Sequence, residues 1–216
     1  MPTALTRILL GLLLLLPLAA SAGEADAFVA ANPAKQAKLL ESWAAAPDSA
    51  RLPLLEALRQ GRVAADDEKR AFIESAGAYQ PAEGTAEPVS SPRKLRLNNR
   101  LRGLIATALA SHRLLAGDPA LRLAAARHLQ KSAKPAQLRL LEQRVASEDD
   151  SQVRDALTLA LANLQLVDPD PAVRLAAVRL LGSTGDPLAR TRLENLLEPG
   201  VESDASVRTA AQTSLA

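Results

Sequence analysis

Cysteine is absent from this 216-residue chain and only two histidines occur. Without thiols, cysteine nucleophiles, disulfides and Cys-based zinc sites are excluded, so packing alone must hold the fold together. The two histidines, His112 and His128, lack the HExxH arrangement that places two metal ligands and a base on one helix. Aromatic residues make up 2% of the chain against 48% hydrophobic residues, which leaves a core of Leu, Ala and Val suited to closely approaching helices. An excess of either charge is missing too. With 26 Lys plus Arg against 24 Asp plus Glu, the formal net charge of +2 is too small to mark a nucleic-acid-binding protein as a whole. A chain of this length has room for one or two domains.

The first 22 residues stand apart. Arg7 gives a positive start, Ile8 to Ala19 form an apolar run broken only by Gly11 and Pro17, and Ala20-Ser21-Ala22 supply the small residues of a cleavage site. These are the parts of a secretory signal peptide, with the cut expected before Gly23 and an exported mature protein. An uncleaved membrane anchor is the weaker reading, because the apolar run falls short of the roughly 20 residues that cross a bilayer. No later stretch reaches that length without charges.

The strongest positive signal is a repeated pattern: Asp, two residues, an aliphatic, Arg, then Ala three places after the aliphatic. It reads Asp118-Pro-Ala-Leu121-Arg122, Asp150-Ser-Gln-Val153-Arg154, Asp170-Pro-Ala-Val173-Arg174 and Asp204-Ala-Ser-Val207-Arg208. Positions i, i+3, i+4, i+7 and i+8 from each aliphatic share one face of a helix. They are Val173, Ala176, Ala177, Leu180 and Leu181 in the third copy, and Val153, Ala156, Leu157, Ala160 and Leu161 in the second. The first gives Leu121, Ala124, Ala125, His128 and Leu129, and the last Val207, Ala210, Ala211, Ser214 and Leu215. The Asp sits where an N-cap belongs, Pro119 and Pro171 occupy the first helical position, and the Arg column is left for solvent or a neighbouring repeat. Partner helices are expected at about 136–146 and 188–197. Spacings of 32, 20 and 34 between the aliphatics leave no room for one after the second copy. A helical solenoid, each unit burying its apolar face against its neighbours, is the architecture this recurrence implies.

Ahead of the repeats, Pro33 to Ala46 and Ser49 to Gln60 read as two amphipathic helices. From Arg70 to Pro92 the helical period is lost. Ala71-Phe-Ile73 and Ala78-Tyr79-Gln80 suggest two short strands around Gly77, followed by a loop rich in Pro, Ala, Glu and Ser, together a protruding hairpin. A helix is expected to resume near Leu95 and end at Gly117. The organisation is therefore 1–22 signal peptide, 23–69 helical pair, 70–92 irregular hairpin and loop, and 93–216 helical repeats with the last incomplete.

Catalytic chemistry is poorly served. His128 occupies a column filled by Leu180 and Ala160 in sister copies and reads as a partly buried, hydrogen-bonded core histidine. Gly182-Ser-Thr-Gly185 lacks the Lys of a phosphate loop and the strand before a nucleophile elbow, so it is an interhelix turn. Asp168-Pro-Asp170 and Glu148-Asp149-Asp150 lack the further ligands of a calcium loop and fit helix capping. No cofactor is expected. One charge cluster remains: Arg93, Lys94, Arg96, Arg100 and Arg102, with Arg113 beyond, and no acidic residue from Pro88 to Gly117. In an exported protein such a cluster suits anionic lipid headgroups or an acidic patch on a companion subunit rather than nucleic acid. The plainer alternative is a solvated helix face with countercharges on other repeats.

The stretch Asp170-Pro-Ala-Val-Arg-Leu-Ala-Ala-Val-Arg-Leu-Leu-Gly-Ser-Thr-Gly-Asp-Pro187 resembles the HEAT-like repeat also found in phycobilin lyases. Lys94-Leu-Arg-Leu-Asn-Asn-Arg-Leu-Arg-Gly-Leu104, Leu129-Gln-Lys-Ser-Ala-Lys-Pro-Ala-Gln137 and Leu196-Leu-Glu-Pro-Gly-Val-Glu-Ser-Asp204 resemble the amino-terminal extension of the permease subunit of bacterial urea ABC transporters, in the branched-chain amino acid transporter group. The likeness covers essentially the whole chain. It implies an all-α, HEAT-like α-α superhelix, a periplasmic location and a non-catalytic role in docking ABC transporter subunits or the solute-binding protein. In that family a multi-span membrane domain follows, so membrane association is expected only through a permease part that this sequence does not contain, and no pore or urea-binding residue carries over. A free-standing periplasmic scaffold with an unrelated partner is the alternative. A lyase-like enzyme would need a pocket with convergent polar groups, and no motif supplies one.

Overall fold

The computed structural model describes residues 23–84 and 91–216. The expected signal segment and residues 85–90 of the Pro- and Glu-containing loop lie outside the described residues. Among the described residues the protein is mostly helical, with ten α-helices and one four-stranded antiparallel sheet. None of these helices is long and apolar enough to cross a membrane.

The amino-terminal part is mixed rather than purely helical. Helices α1 (Glu24–Ala30), α2 (Pro33–Ala45) and α3 (Leu52–Arg59, entered through a 3-10 turn at Ser49–Arg51) lead into β1 (Val63–Ala65), β2 (Ala71–Ser75) and β3 (Ala78–Pro81). Strand β4 (Arg93–Lys94) then precedes α4 (Asn99–Arg113), and the sheet order is β3-β2-β1-β4. The two strands expected around Gly77 are β2 and β3, joined by a two-residue turn in which Ala76 and Gly77 both have positive φ, 51° and 82°. The sheet reaches beyond 70–92 at both ends, however, because Ala64 pairs with Phe72 on one side and Lys94 on the other. The hairpin does not protrude. Val63, Ala71 and Phe72 are buried, and Val63 and Ala71 share one core with Phe28 of α1, Trp43 of α2, Leu55 of α3 and Ile105 of α4. Short β1 buries consecutive residues and so carries no alternation, and α1 is only seven residues long, which is why neither shows as a period in the sequence.

The carboxy-terminal part consists of α5 (Pro119–Ser132), α6 (Leu138–Ser147), α7 (Ser151–Gln165), α8 (Pro171–Gly182), α9 (Pro187–Leu196) and α10 (Ala205–Leu215). Each of the four recurring Asp residues caps its helix: Asp118 accepts from Ala120 N, Asp150 from Val153 N, Asp170 from Ala172 N, and Asp204 from Ser206 and Val207 N. The unit of repetition is larger than one copy of the pattern. Helices α5, α6 and α7 form one core, and α8, α9 and α10 form a second to which the end of α7 contributes Ala162 and Leu166. The chain therefore contains two successive three-helix units, with Asp118 and Asp170 at equivalent places 52 residues apart. The spacings of 32, 20 and 34 follow directly: long within a unit, short between units.

This pairing also corrects the expected faces. In α7 Val153, Ala156, Leu157 and Ala160 are buried as the period implies, while Leu161 is half-buried and Ala162 is buried instead. In α5 and α8 the stripe is rotated by about one position, burying Ala125, Ala126 and Leu129 in one and Ala177, Val178 and Leu181 in the other. Leu121 and Leu180 are exposed, and so is His128, which is not a core histidine. An opening helix of a unit must face both the previous element and the third helix of its own unit, and that shared contact turns it.

Candidate functional site

The cluster singled out by charge sits where the sheet meets the helices. Arg93 and Lys94 form β4, Arg96 lies in the connection after it, and Arg100 and Arg102 stand in the first turns of α4; all five side chains are exposed. They do not share one helix face, because α4 starts at Asn99, where the Asn98 side chain caps it by accepting from Leu101 N at 2.9 Å, and not near Leu95. The fold brings them together by pinning β4 against β1, with Leu95 N donating to Val63 O. Lys94 is partly neutralised: its Nζ lies 2.8 Å from Glu74 Oε2, and this contact holds the Glu74 carboxyl below its usual range. Arg102 Nε donates to Leu97 O. Arg113, at the far end of α4, is drawn away to Glu56 of α3 and does not join the cluster. Among the described residues, Arg93, Arg96 and Arg100 form no ion pair. The result is a cationic surface of exposed side chains on the edge of the sheet, positioned by backbone pairing.

A second set of charged residues is structural. Arg122 makes a two-pronged contact with Glu148, Nε to Oε2 at 2.9 Å and Nη2 to Oε1 at 2.8 Å, while its Nη1 donates to Ala116 and Gly117 carbonyls before its own helix. Arg174 repeats the arrangement with Glu202, at 2.7 and 2.8 Å, and with the Asp168 and Pro169 carbonyls. Arg154 and Arg208 keep the backbone half, donating to Glu148 and Asp149 carbonyls and to the Glu202 carbonyl. Each glutamate is buried and also accepts from the N–H of the next capping Asp. Glu148 is thus an ion-pair anchor, while Asp150 beside it is the cap. The arginine column is turned onto the interhelix connections rather than left to solvent. Sequence reasoning missed both glutamates, although a signal was there: Glu stands two places before the Asp in the second and fourth copies, where the first and third have Ala116 and Asp168.

Among the described residues, polar groups that could do chemistry do not converge. His112 is 2% exposed, its Nδ1 lies 2.8 Å from Ala108 O, and burial pushes its pKa down. The adjacent Ser111 hydroxyl instead accepts from buried Gln137. Gly182-Ser-Thr-Gly185 links α8 to α9, with Thr184 Oγ1 donating to Leu181 O and Gly185 at φ 64°. A broad groove of about 980 Å³ between α5, α7 and the start of α9 mixes Arg127 and Lys131 with Asp155 and Asp186, so it presents no single sign to a ligand. No known protein family's sequence profile matches this chain, and comparison with characterised proteins and with solved structures gives no match.

Proposed function

We propose that this protein is a non-catalytic periplasmic scaffold, a HEAT-like solenoid of the kind found ahead of the membrane domain in urea ABC transporter permeases, and that it docks an acidic surface of a transporter component. The single observation that carries the reading is the coincidence of two features on one segment. Lys94 to Leu104, one of the three stretches that together resemble the permease extension, is also the stretch whose Arg96, Arg100 and Arg102 stand exposed beside Arg93 and Lys94. The two three-helix units and their Arg–Glu contacts support the solenoid part, since each unit packs only on its sequence neighbours. Docking would rest on complementary charge, which chiefly raises association rate and is weakened by salt.

The test is crosslinking of the protein to the solute-binding protein and the membrane subunits of a urea transporter from the same cell, beside the variant Arg93→Glu/Arg96→Glu/Arg100→Glu. We expect capture of one component, lost in the variant and weakened about tenfold or more between low and physiological salt. Capture of no transporter component, or capture indifferent to the charge reversal, would overturn the proposal.

A further inference from the structure

We infer that the chain is cut between Ala22 and Gly23, and that the new amino terminus is held in place as an ammonium by the carboxylate of Glu83. Two independent features meet at Gly23. The sequence puts a small-residue cleavage site, Ala20-Ser21-Ala22, immediately before it, behind an apolar run and Arg7. The fold brings a carboxylate to the same residue from 60 positions further along the chain.

Glu83 follows β3 and reaches back across the molecule to α1. One oxygen accepts from Ala25 N at 3.3 Å. The other lies so close to Gly23 that a Cβ at position 23 would push the carboxylate aside. Because the amide nitrogen and a Cβ are bonded to the same Cα, this oxygen is also within ion-pair reach of the Gly23 nitrogen. Gly23 is the N-cap of α1, extended at φ −58° and ψ 154°, with its carbonyl accepting from Ala27 N. An ammonium at the start of a helix is repelled by the positive end of the dipole, so it needs a nearby anion to be held there.

The other charged groups around this point are already engaged. Glu24 is paired with Arg51, Asp26 accepts from Ala71 N at 2.7 Å, and Arg70 is paired with Asp66 and Glu68. Glu83 has one backbone N–H and, among the described residues, no Lys or Arg partner. Burial, with Asp26 and Glu24 close by, pushes its pKa above the usual carboxylate range, the state of an anion that lacks a cation. Cleavage supplies that cation. Water adds to the Ala22 carbonyl, the Ala22–Gly23 bond breaks, Ala22 departs as a carboxylate, and the Gly23 nitrogen takes up the proton that makes it an ammonium. A peptidase of the export pathway performs the cut. The consequence is structural: maturation adds an ion pair that ties α1 to the end of the β2–β3 hairpin, whichever partner the protein docks.

The full chain, expressed with its leader and recovered from the exported fraction, tests this by intact mass and by the reactivity of its α-amine. We expect a chain beginning at Gly23 whose amine titrates above the ordinary range of about 7.7 to 8.0, with acylation at neutral pH slowed about tenfold for each unit of increase. Glu83→Gln should return the amine to that range and restore the rate. A chain released by a site-specific protease so that it begins at Ala22 moves the ammonium off Glu83, and it serves as the second probe where Glu83→Gln does not fold; it should also react at the ordinary rate. An uncut chain, a different first residue, or an amine of ordinary pKa that ignores both changes would overturn the inference.

Discussion

Arg174 carries two tasks at once, clamping the loop before its own helix and reaching the buried Glu202 in the connection before α10. Removing one partner of a buried pair typically costs about 3 to 5 kcal/mol, and less where, as for Arg174, the remaining group is partly exposed and keeps other partners. Glu202→Ala should therefore destabilise the protein by up to about 3 kcal/mol at neutral pH in urea unfolding. Arg208→Ala should cost less, because Arg208 makes the backbone contact alone. The pH dependence has a defined sign. Arg174 lowers the Glu202 carboxyl to about 2 from an ordinary 4.5, so its contribution is complete above about pH 4.5 and is lost as the pH falls toward 2. The stability gap between the native chain and Glu202→Gln should shrink over that window. A constant gap would show that the pair is not the cause. At this scale the capping Asp residues were readable, since a cap is settled within three residues of sequence. The glutamates carry a mark two places before the capping Asp, but what they pair with lies 26 and 28 residues away, and His128 was misplaced because its helix is turned by a contact no local period records.

Among the elements, the β2–β3 turn and the α8–α10 contact make opposite demands on glycine. Ala76 is held at φ 51°, a left-handed conformation that costs a residue with a Cβ about 1 kcal/mol. Ala76→Gly or Ala76→Asn should raise stability by about 0.5 to 1 kcal/mol, read as a higher melting temperature. Gly182 is the reverse case. It ends α8, where alanine has better helix propensity by about 1 kcal/mol, yet a Cβ there would run into the Ser214 side chain of α10. Gly182→Ala should lower stability, and adding Ser214→Gly should recover part of the loss; a stabilised single variant would mean that α10 moves aside freely. Gly77 marked the hairpin in the sequence because turns have their own residue chemistry. Strands β1 and β4 left no such mark, being short and specified by backbone pairing at a distance.

For the whole molecule, three cores in sequence share their boundary helices: α4 serves the first and second, and α7 the second and third. Coupling of this kind passes between neighbours only. Hydrogen exchange should show it directly: Glu202→Ala should lower protection in α8 to α10, affect α7 less and leave α2 to α4 unchanged. Uniform loss of protection would mean one cooperative body in place of stacked units. The fourfold pattern was enough to announce repetition, but its true unit of three helices appears only when the alternating spacings are seen as inside and outside a unit.

The mixed sheet at the amino-terminal end has a consequence in time. The ion pairs inside each three-helix unit close loops of 26 and 28 residues, whereas Asp26 must find Ala71 across 45 residues and Glu83 must find Ala25 across 58. Longer closures lose more chain entropy before any contact rewards them and form later on average. The β1–β4 pairing that forms the basic edge joins Ala64 to Lys94, a closure about as short as those inside the helical units, so that edge should form alongside them, and the contacts of α1 with Ala71 and Glu83 should follow. A newly made chain would then carry its cationic edge before its first helix is anchored.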